Sequence, residues 1–358
     1  MAYLVTGGAG FIGSHVVEAL YREGKPVRVL DDLSTGSLRN LEEALGLARG
    51  SLRPPPPGQA VTLAEGCEFV LGDIRDPEVL RRACAGVEVV IHEAALRAVP
   101  RSVVDPLSTD DVNVSGTLKV LLAAREAGVR RVVFASSSSV YGASLEVPKV
   151  EGMTPAPVSP YAVSKLAGEH YCRVFYELYG LETVSLRYFN VFGPRQDPAS
   201  EYAAVIPKFI LAALQGRPVE IHGDGLQSRD FTYVTNAVRA TLLAAAVPEA
   251  AGEVLNVGAG ETYSVLQVVE ALEQILGRRL EVHHTAPRPG DVRVTLADTS
   301  RARRVLGYGP HVGFVEGLRE TVRYFAARHP TRAFGKGVAV GTQLMWFAPA
   351  ETSTEEAT

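Results

Sequence analysis

The 358-residue sequence is poor in cysteine: Cys67, Cys84 and Cys172 lie far apart, with no CxxC pair. That scarcity excludes a disulfide framework and a cysteine-based zinc site, and it fits a reducing compartment. No metal is expected. Long apolar runs are also missing, none approaching the roughly 18 residues that suggest a membrane span. The opening Met-Ala-Tyr-Leu-Val-Thr-Gly-Gly has neither the charged leader nor the apolar core of a secretory signal. A soluble, cytoplasmic protein without a membrane partner is the expectation. Basic charge is in short supply too: the net charge is −4, with no Lys/Arg block or stripe. Nucleic acid, which is bound chiefly by neutralising phosphates, is therefore not an expected partner. A small anion is still open, because a few placed arginines and backbone amides suffice to hold one.

What is present is alternation. Tyr3–Thr6, Val27–Asp31, Glu68–Leu71, Val87–His92, Arg131–Ala135 and Thr183–Arg187 read as strands. Helical patterns fall between them at Ile12–Glu23, Glu78–Cys84, Val114–Ala127 and Tyr161–Tyr179. Such alternation predicts an α/β fold with a parallel sheet covered on both faces. Leu47–Gln59 interrupts it; Pro54–Pro57 cannot be helix interior, so the segment reads as an exposed insertion between the second and third strands. Beyond Arg195 the pattern loosens to shorter helices (Val205–Leu214, Asn236–Ala246 and Val265–Leu276), as expected of a smaller C-terminal cap. The expected division is residues 1–190, 191–329 as mainly cap, and a partly disordered tail over 330–358.

The first strand leads into Thr6-Gly7-Gly8-Ala9-Gly10-Phe11-Ile12-Gly13, and a helix follows. Glycines here permit a tight turn and a close backbone approach to a pyrophosphate, whose charge then faces the amides of the helix N-terminus. The second strand ends in Asp31-Asp32, where a carboxylate can bind ribose hydroxyls and repel a 2′-phosphate. The fold class expected is thus a doubly wound Rossmann sheet, with NAD rather than NADP as cofactor. Gly72-Asp73-Ile74 and His92-Glu93-Ala94-Ala95 close two more strands facing the same crevice.

The chemistry lies in two segments. Ala135-Ser136-Ser137-Ser138-Ser139-Val140-Tyr141-Gly142 closes the fifth strand, and Ser159-Pro160-Tyr161-Ala162-Val163-Ser164-Lys165 opens a helix. Tyr161 and Lys165, four apart, share one helix face. A tyrosine of pKa about 10 is a poor base at neutral pH. A neighbouring ammonium and a cationic nicotinamide both favour its phenolate.

These residues resemble the extended short-chain dehydrogenase/reductase family, and within it the UDP-glucose and UDP-N-acetylglucosamine 4-epimerases. The likeness runs from about Ala2 to about Tyr324. It is carried further by Arg187-Tyr188-Phe189-Asn190-Val191-Phe192-Gly193, Arg195-Gln196-Asp197-Pro198, Tyr202-Ala203-Ala204-Val205-Ile206-Pro207-Lys208, Ser228-Arg229-Asp230-Phe231 and Arg288-Pro289-Gly290-Asp291.

The resemblance implies transient oxidation at C4 of a UDP-hexose, with tightly bound NAD regenerated in each cycle. Tyr161 would be the acid and base, Lys165 would bind ribose and lower the tyrosine pKa, and Ser137 would bond the sugar 4-hydroxyl. Asp31, Asp73, Asn113 and Tyr188 would belong to the NAD site. With them come Gly7, Gly10, Phe11, Ile12, Gly13, Asp32, Ser34, Thr35, Gly36, Ile74, Glu93, Ala94, Ala95 and Arg97. Asn190, Arg229, Arg288 and Asp291 would hold the nucleotide diphosphate, while Ala204, Val205, Glu220, His222 and Thr295 complete the substrate site. A homodimer is implied as well.

Dehydratases of the family carry an Asp-Glu pair after the strand hydroxyl. Here Ser138 and Ser139 stand there, and they cannot supply the acid and base for water loss. At Thr295, epimerases restricted to non-acetylated sugars resemble one another in having a bulky tyrosine, so threonine predicts that N-acetyl sugars are accepted. The rival readings are a UDP-glucuronate 4-epimerase or another sugar-nucleotide enzyme of the family, and, in a different class, a non-catalytic NAD(P)-binding regulator.

Overall fold

A computed structural model describes residues 2–142, 144–198, 204–287 and 292–329. The chain begins with β1 (Tyr3–Thr6), α1 (Phe11–Arg22), β2 (Val27–Asp31), α2 (Leu38–Ala44), β3 (Ala60–Ala64) and β4 (Cys67–Leu71). Next come α3 (Pro77–Cys84), β5 (Val89–His92), α4 (Val99–Val104), α5 (Pro106–Asp110), α6 (Thr117–Glu126), β6 (Arg131–Ser137), α7 (Pro160–Tyr179) and β7 (Glu182–Tyr188). The remainder runs α8 (Val205–Leu214), β8 (Val219–His222), β9 (Ser228–Arg229), α9 (Val234–Ala246), β10 (Val254–Val257), β11 (Tyr263–Ser264), α10 (Val265–Leu276), β12 (Val282–Thr285), α11 (Ser300–Leu306) and α12 (Phe314–Arg328).

Eight strands form one sheet in the order β10-β7-β6-β5-β1-β2-β4-β3. Every neighbouring pair is parallel except β3 with β4. The strands read as unbroken apolar runs because both faces are buried. Leu4, Leu30, Val90 and Val132 point to the side that packs with residues of α3 and α6. Their neighbours Val5, Val29, Ile91 and Val133 point to the other side, toward α1 and α9. β1 pairs with both β2 and β5, so strand order reverses there. A crevice opens at the carboxyl ends on either side of such a reversal.

The doubly wound sheet and the cap are as expected, with three differences. The cut at 190/191 does not follow the sheet: β10 pairs with β7, and α9 packs on α1. The chain leaves to build the cap and returns, because the outer edge of β7 still offers unpaired backbone groups. The cap itself contains α8, α10 and the small pairs β8–β12 and β9–β11. Second, the proline segment is not wholly exposed. Pro55 turns inward, the Glu42 carboxylate accepts the amides of Gly50 and Leu52 at 2.9 Å, and the loop delivers β3 as an antiparallel edge strand. Third, the helix expected over Val114–Ala127 starts as a π-helical turn, Asp111–Gly116, before α6. Such wide turns often sit beside functional sites. Among the described residues, no helix is long and apolar enough to cross a membrane. The 330–358 tail lies outside the described residues.

Candidate active site

A cleft of about 1210 Å³ runs along the carboxyl ends of β1, β2, β5, β6 and β7. Gly7, Gly10, Phe11, Ile12 and Gly13 form its floor. Gly7 has φ +70°, and a Cβ on Gly13 would stand 2.2 Å from the Gly7 carbonyl oxygen, so both positions require glycine. Gly10 caps α1 without a side chain, leaving the first-turn amides for an anion.

At the tip of β2, the Asp31 carboxylate accepts the amides of Ala9 at 2.9 Å and Leu33 at 2.8 Å. Burial raises Asp31 to about 6, against the pull of those amides. Gly36 stands against it: a Cβ there would come within 2.7 Å of an Asp31 oxygen. Asp32, Ser34, Thr35, Asp73, Ile74, Glu93, Ala94, Ala95 and Arg97 also line the cleft. Asp73 is gripped by Arg75 at 2.6 Å, which holds its carboxyl below the usual range. Asn113 is not on the wall. It sits behind, accepting the Leu96 amide at 2.8 Å and donating to the Leu96 carbonyl and Ser164 Oγ, so it shapes the loop after β5. A glycine floor, a free helix N-terminus and a carboxylate at the tip of β2 together fit a dinucleotide.

β6 and α7 bring Ser137, Tyr161 and Lys165 into the cleft. Ser159 caps α7 by accepting the Ala162 amide at 3.2 Å, and Pro160 fits the first turn, where no amide hydrogen is needed. This sets Tyr161 at the mouth of the helix, in the same cleft as Ser137 at the end of β6. Lys165, 4% exposed, donates to the Ala135 carbonyl at 2.8 Å and stands 5.9 Å from the Tyr161 ring centre.

Burial raises the Tyr161 hydroxyl, opposed by the neighbouring Ser137 and the Arg97 charge. Burial pushes Lys165 down to about 8, opposed chiefly by Glu93. Arg97, assigned from sequence to the cofactor, thus also bears on the tyrosine. Sequence reading missed the support behind these groups: Glu169 and Arg187 under α7, and Thr241 beneath Tyr188. Glu169 had a signal, since Tyr161, Lys165 and Glu169 form an i, i+4, i+8 stripe.

The cap closes the other half. Tyr188, Asn190, Ala204, Arg229 and Thr295 line the cleft. Asn190 has φ +32°, and its amide donates to the Asp230 carbonyl and to Thr295 Oγ1 at 3.2 Å each. Leu33, Ala98 and Arg195 are the other non-glycine residues with positive φ among those described, each in a loop beyond a sheet strand. Strain gathered this way is characteristic of ligand sites. Val205, Glu220 and His222 line a separate hollow of about 260 Å³, which shares Asn190, Ala204 and Arg229 with the main cleft. Arg288 and Asp291 lie outside the described residues.

A sequence model of the family "Epimerase: NAD dependent epimerase/dehydratase family" matches residues 3–258. The chain is 40% identical over 327 residues to UDP-glucose 4-epimerase of Mycolicibacterium smegmatis, spanning 91% of this chain and 98% of that protein. Among solved structures, UDP-N-acetylglucosamine 4-epimerase from Methanobrevibacter ruminantium, in complex with UDP-N-acetylmuramic acid, superposes with a TM-score of 0.83 at 38% identity, covering 91% of this chain and 98% of that one. The Thermus thermophilus UDP-glucose 4-epimerase complex with NAD gives 0.78 at 38% identity, covering 91% and 99%. The chain belongs to the NAD dependent epimerase/dehydratase family, the extended short-chain dehydrogenase/reductases that its glycine turn and Tyr161–Lys165 pair resemble.

Proposed function

We propose that this chain is an NAD-dependent UDP-hexose 4-epimerase, acting on UDP-glucose and UDP-galactose and on their N-acetyl forms. The observation that carries the reading is that Ser137, Tyr161 and buried Lys165 line one cleft, whose other end has the glycine floor. The names of the relatives support the substrate class.

Gly7, Gly10 and Gly13 hold the cofactor pyrophosphate, and Asp31 with Asp32 faces its ribose. NAD, when bound, supplies a hydride acceptor and donor for C4. Tyr161 takes the proton of the 4-hydroxyl and later returns it, while Ser137 shares the hydrogen bond to that oxygen. Lys165 keeps a positive charge beside Tyr161 and so favours the phenolate form that accepts the proton. Asn190 and Arg229, with Arg288 and Asp291, anchor the nucleotide diphosphate. Val205, Glu220 and His222 take the nucleoside end in the smaller hollow. With only the nucleotide diphosphate anchored, the oxidised sugar is free to rotate and present the opposite face of its C4. Ser138 and Ser139 offer no carboxylic acid, so elimination of water does not compete.

A homodimer is part of the reading. Val103, Val104 and Leu107 on α4 and α5, with Val163, Val174 and Leu178 on the adjoining α7, are exposed apolar side chains. A patch of this kind favours burial against a second copy. The three free cysteines, all buried, are in keeping with a reducing, cytoplasmic setting.

The test is incubation of the purified protein, without added cofactor, with UDP-galactose and separately with UDP-N-acetylgalactosamine, followed by chromatography. Turnover of both supports the reading with retained NAD. Turnover of UDP-galactose alone keeps the mechanism and discards the open pocket at Thr295. No turnover of either, even with NAD added, overturns the reading and makes UDP-glucuronate the next substrate.

A further inference from the structure

We propose that Asp230 is a positioning residue for the substrate side of the cleft. Its buried carboxylate ties the loop after β10 of the main sheet to segment 295–297, and so fixes Arg229, Asn190 and Thr295 on the cleft wall. The inference rests on the epimerase reading for what those residues hold, though not for the tie itself.

Asp230 directly follows β9 and is fully buried. Its Oδ1 accepts the Ala259 amide at 2.7 Å, and its Oδ2 accepts the amides of Gly260 at 3.0 Å and Ala297 at 3.1 Å. Thr232 Oγ1 adds a longer contact to Oδ1 at 3.4 Å. A carboxylate taken out of water is tolerated only where such donors replace its hydration, and bonds to a charged acceptor are the stronger kind. Gly258 leaves the room for it: a Cβ there would stand 2.7 Å from Asp230 Oδ2 and 2.5 Å from the Ala297 Cβ. Tyr308 donates to the Gly258 carbonyl at 2.8 Å and braces the same loop.

The backbone of Asp230 carries this tie to the cleft. Its amide donates to the Thr295 carbonyl at 2.8 Å, and the Thr295 amide donates to the Ser228 carbonyl at 3.2 Å. Its carbonyl accepts Asn190 Nδ2, which also donates to Thr295 Oγ1, at 3.2 Å each. Arg229, one residue before, lines the cleft together with Asn190 and Thr295. Asp230 has no exposed surface of its own, so it acts through these neighbours. Asp230→Asn replaces one acceptor oxygen by an NH2 group. Whichever way that side chain turns, the NH2 meets a backbone amide hydrogen, because each carboxylate oxygen accepts at least one. The glycine floor stands on β1 and α1, and Lys165 is held by the Ala135 carbonyl of β6, so the cofactor end should be spared.

Amide hydrogen exchange tests the tie, and calorimetric titration with UDP tests its purpose. In wild type the amides of Ala259, Gly260 and Ala297 should exchange at least about a hundredfold more slowly than exposed loop amides. Fast exchange there overturns the proposal without any variant. Asp230→Asn should speed exchange over 258–260 and 295–298 by at least about tenfold and leave 3–20 unmoved. It should weaken UDP binding and raise KM for UDP-galactose by about tenfold or more, with kcat changed less and NAD content unchanged. Gly258→Ala, which crowds Oδ2 without removing the charge, should move the same readings and covers the case in which Asp230→Asn does not fold. Faster exchange with unchanged UDP affinity and KM overturns the positioning role. A wild type that neither binds UDP nor turns over UDP-galactose, with exchange faster at these segments alone in Asp230→Asn, supports the tie and counts only against the epimerase reading.

Discussion

Arg187 grips Glu169 twice, Nε to Oε1 at 2.9 Å and Nη2 to Oε2 at 2.7 Å, with both side chains 5% exposed. Ser136, which pairs with Arg187 across β6 and β7, donates to the same carboxylate at 2.5 Å. Glu169 lies one helical turn beyond Lys165 and two beyond Tyr161. The ion pair therefore pins α7 to the sheet right beside Ser137, and the spacing of Tyr161 and Lys165 from β6 follows from it.

Removal of one member of a buried pair leaves the other as an uncompensated charge, at a cost of about 3–5 kcal/mol. Glu169→Ala should lower the free energy of urea unfolding by that order. A loss below about 1 kcal/mol would mean that water reaches Arg187 and that the pair does not hold the helix.

The floor of the cleft gives a second expectation. Gly13→Ala places a methyl 2.2 Å from the Gly7 carbonyl, a contact that only a shift of the turn can relieve. The purified variant should carry little or no NAD, measured by acid release and chromatography, while wild type carries close to one equivalent per chain. Equal NAD content in both would remove the glycine turn from the cofactor site.

Arg97 bears on the acid limb of the rate profile. Its charge lowers Tyr161, so Arg97→Met should let the tyrosine rise and delay phenolate formation to higher pH. Activity should fall several-fold wherever Tyr161 is still mostly protonated, and the loss should shrink only as pH rises through its raised titration. A loss undiminished at the alkaline end would instead mark Arg97 as a contact for the ligand alone.

Thr295, which we propose sets substrate breadth, lines the cleft wall, and its hydroxyl accepts the Asn190 amide at 3.2 Å. Thr295→Tyr should abolish turnover of UDP-N-acetylgalactosamine and leave UDP-galactose within about tenfold, the range that added or lost pocket bulk commonly spans. Continued turnover of the acetylated sugar would locate the acetamido group elsewhere.

How much of this was legible in the sequence follows from how local each signal is. The glycine turn, Asp31 and the Tyr161–Lys165 spacing are contiguous patterns tied to one strand or helix, and the structure brings them into one cleft. Relationships that depend on distant chain segments were silent. Glu93 reads as part of a strand-end motif until Tyr188 and Thr241 arrive from β7 and α9. Arg187 reads as one letter of a motif until Glu169 meets it. β10 was invisible as part of the main sheet because the chain reaches it only after building the cap. Asn113 was assigned to the cofactor by position, whereas its side chain spends its hydrogen bonds on Leu96 and Ser164. Glu220 and His222 were placed in the substrate site, and the structure sets them in a smaller hollow beside the main cleft, lined from α8, β8 and β9.

The central claim is that hydrogen leaves C4 and returns without meeting water, while Tyr161 handles only the hydroxyl proton. UDP-galactose carrying deuterium at C4 tests it directly, with the product fraction read by mass spectrometry and proton NMR. The account predicts UDP-glucose that keeps the deuterium at C4, and a Tyr161→Phe variant slowed by at least about a hundredfold, the scale of general acid–base catalysis. Deuterium lost to solvent, or a Tyr161→Phe variant as fast as wild type, would contradict it.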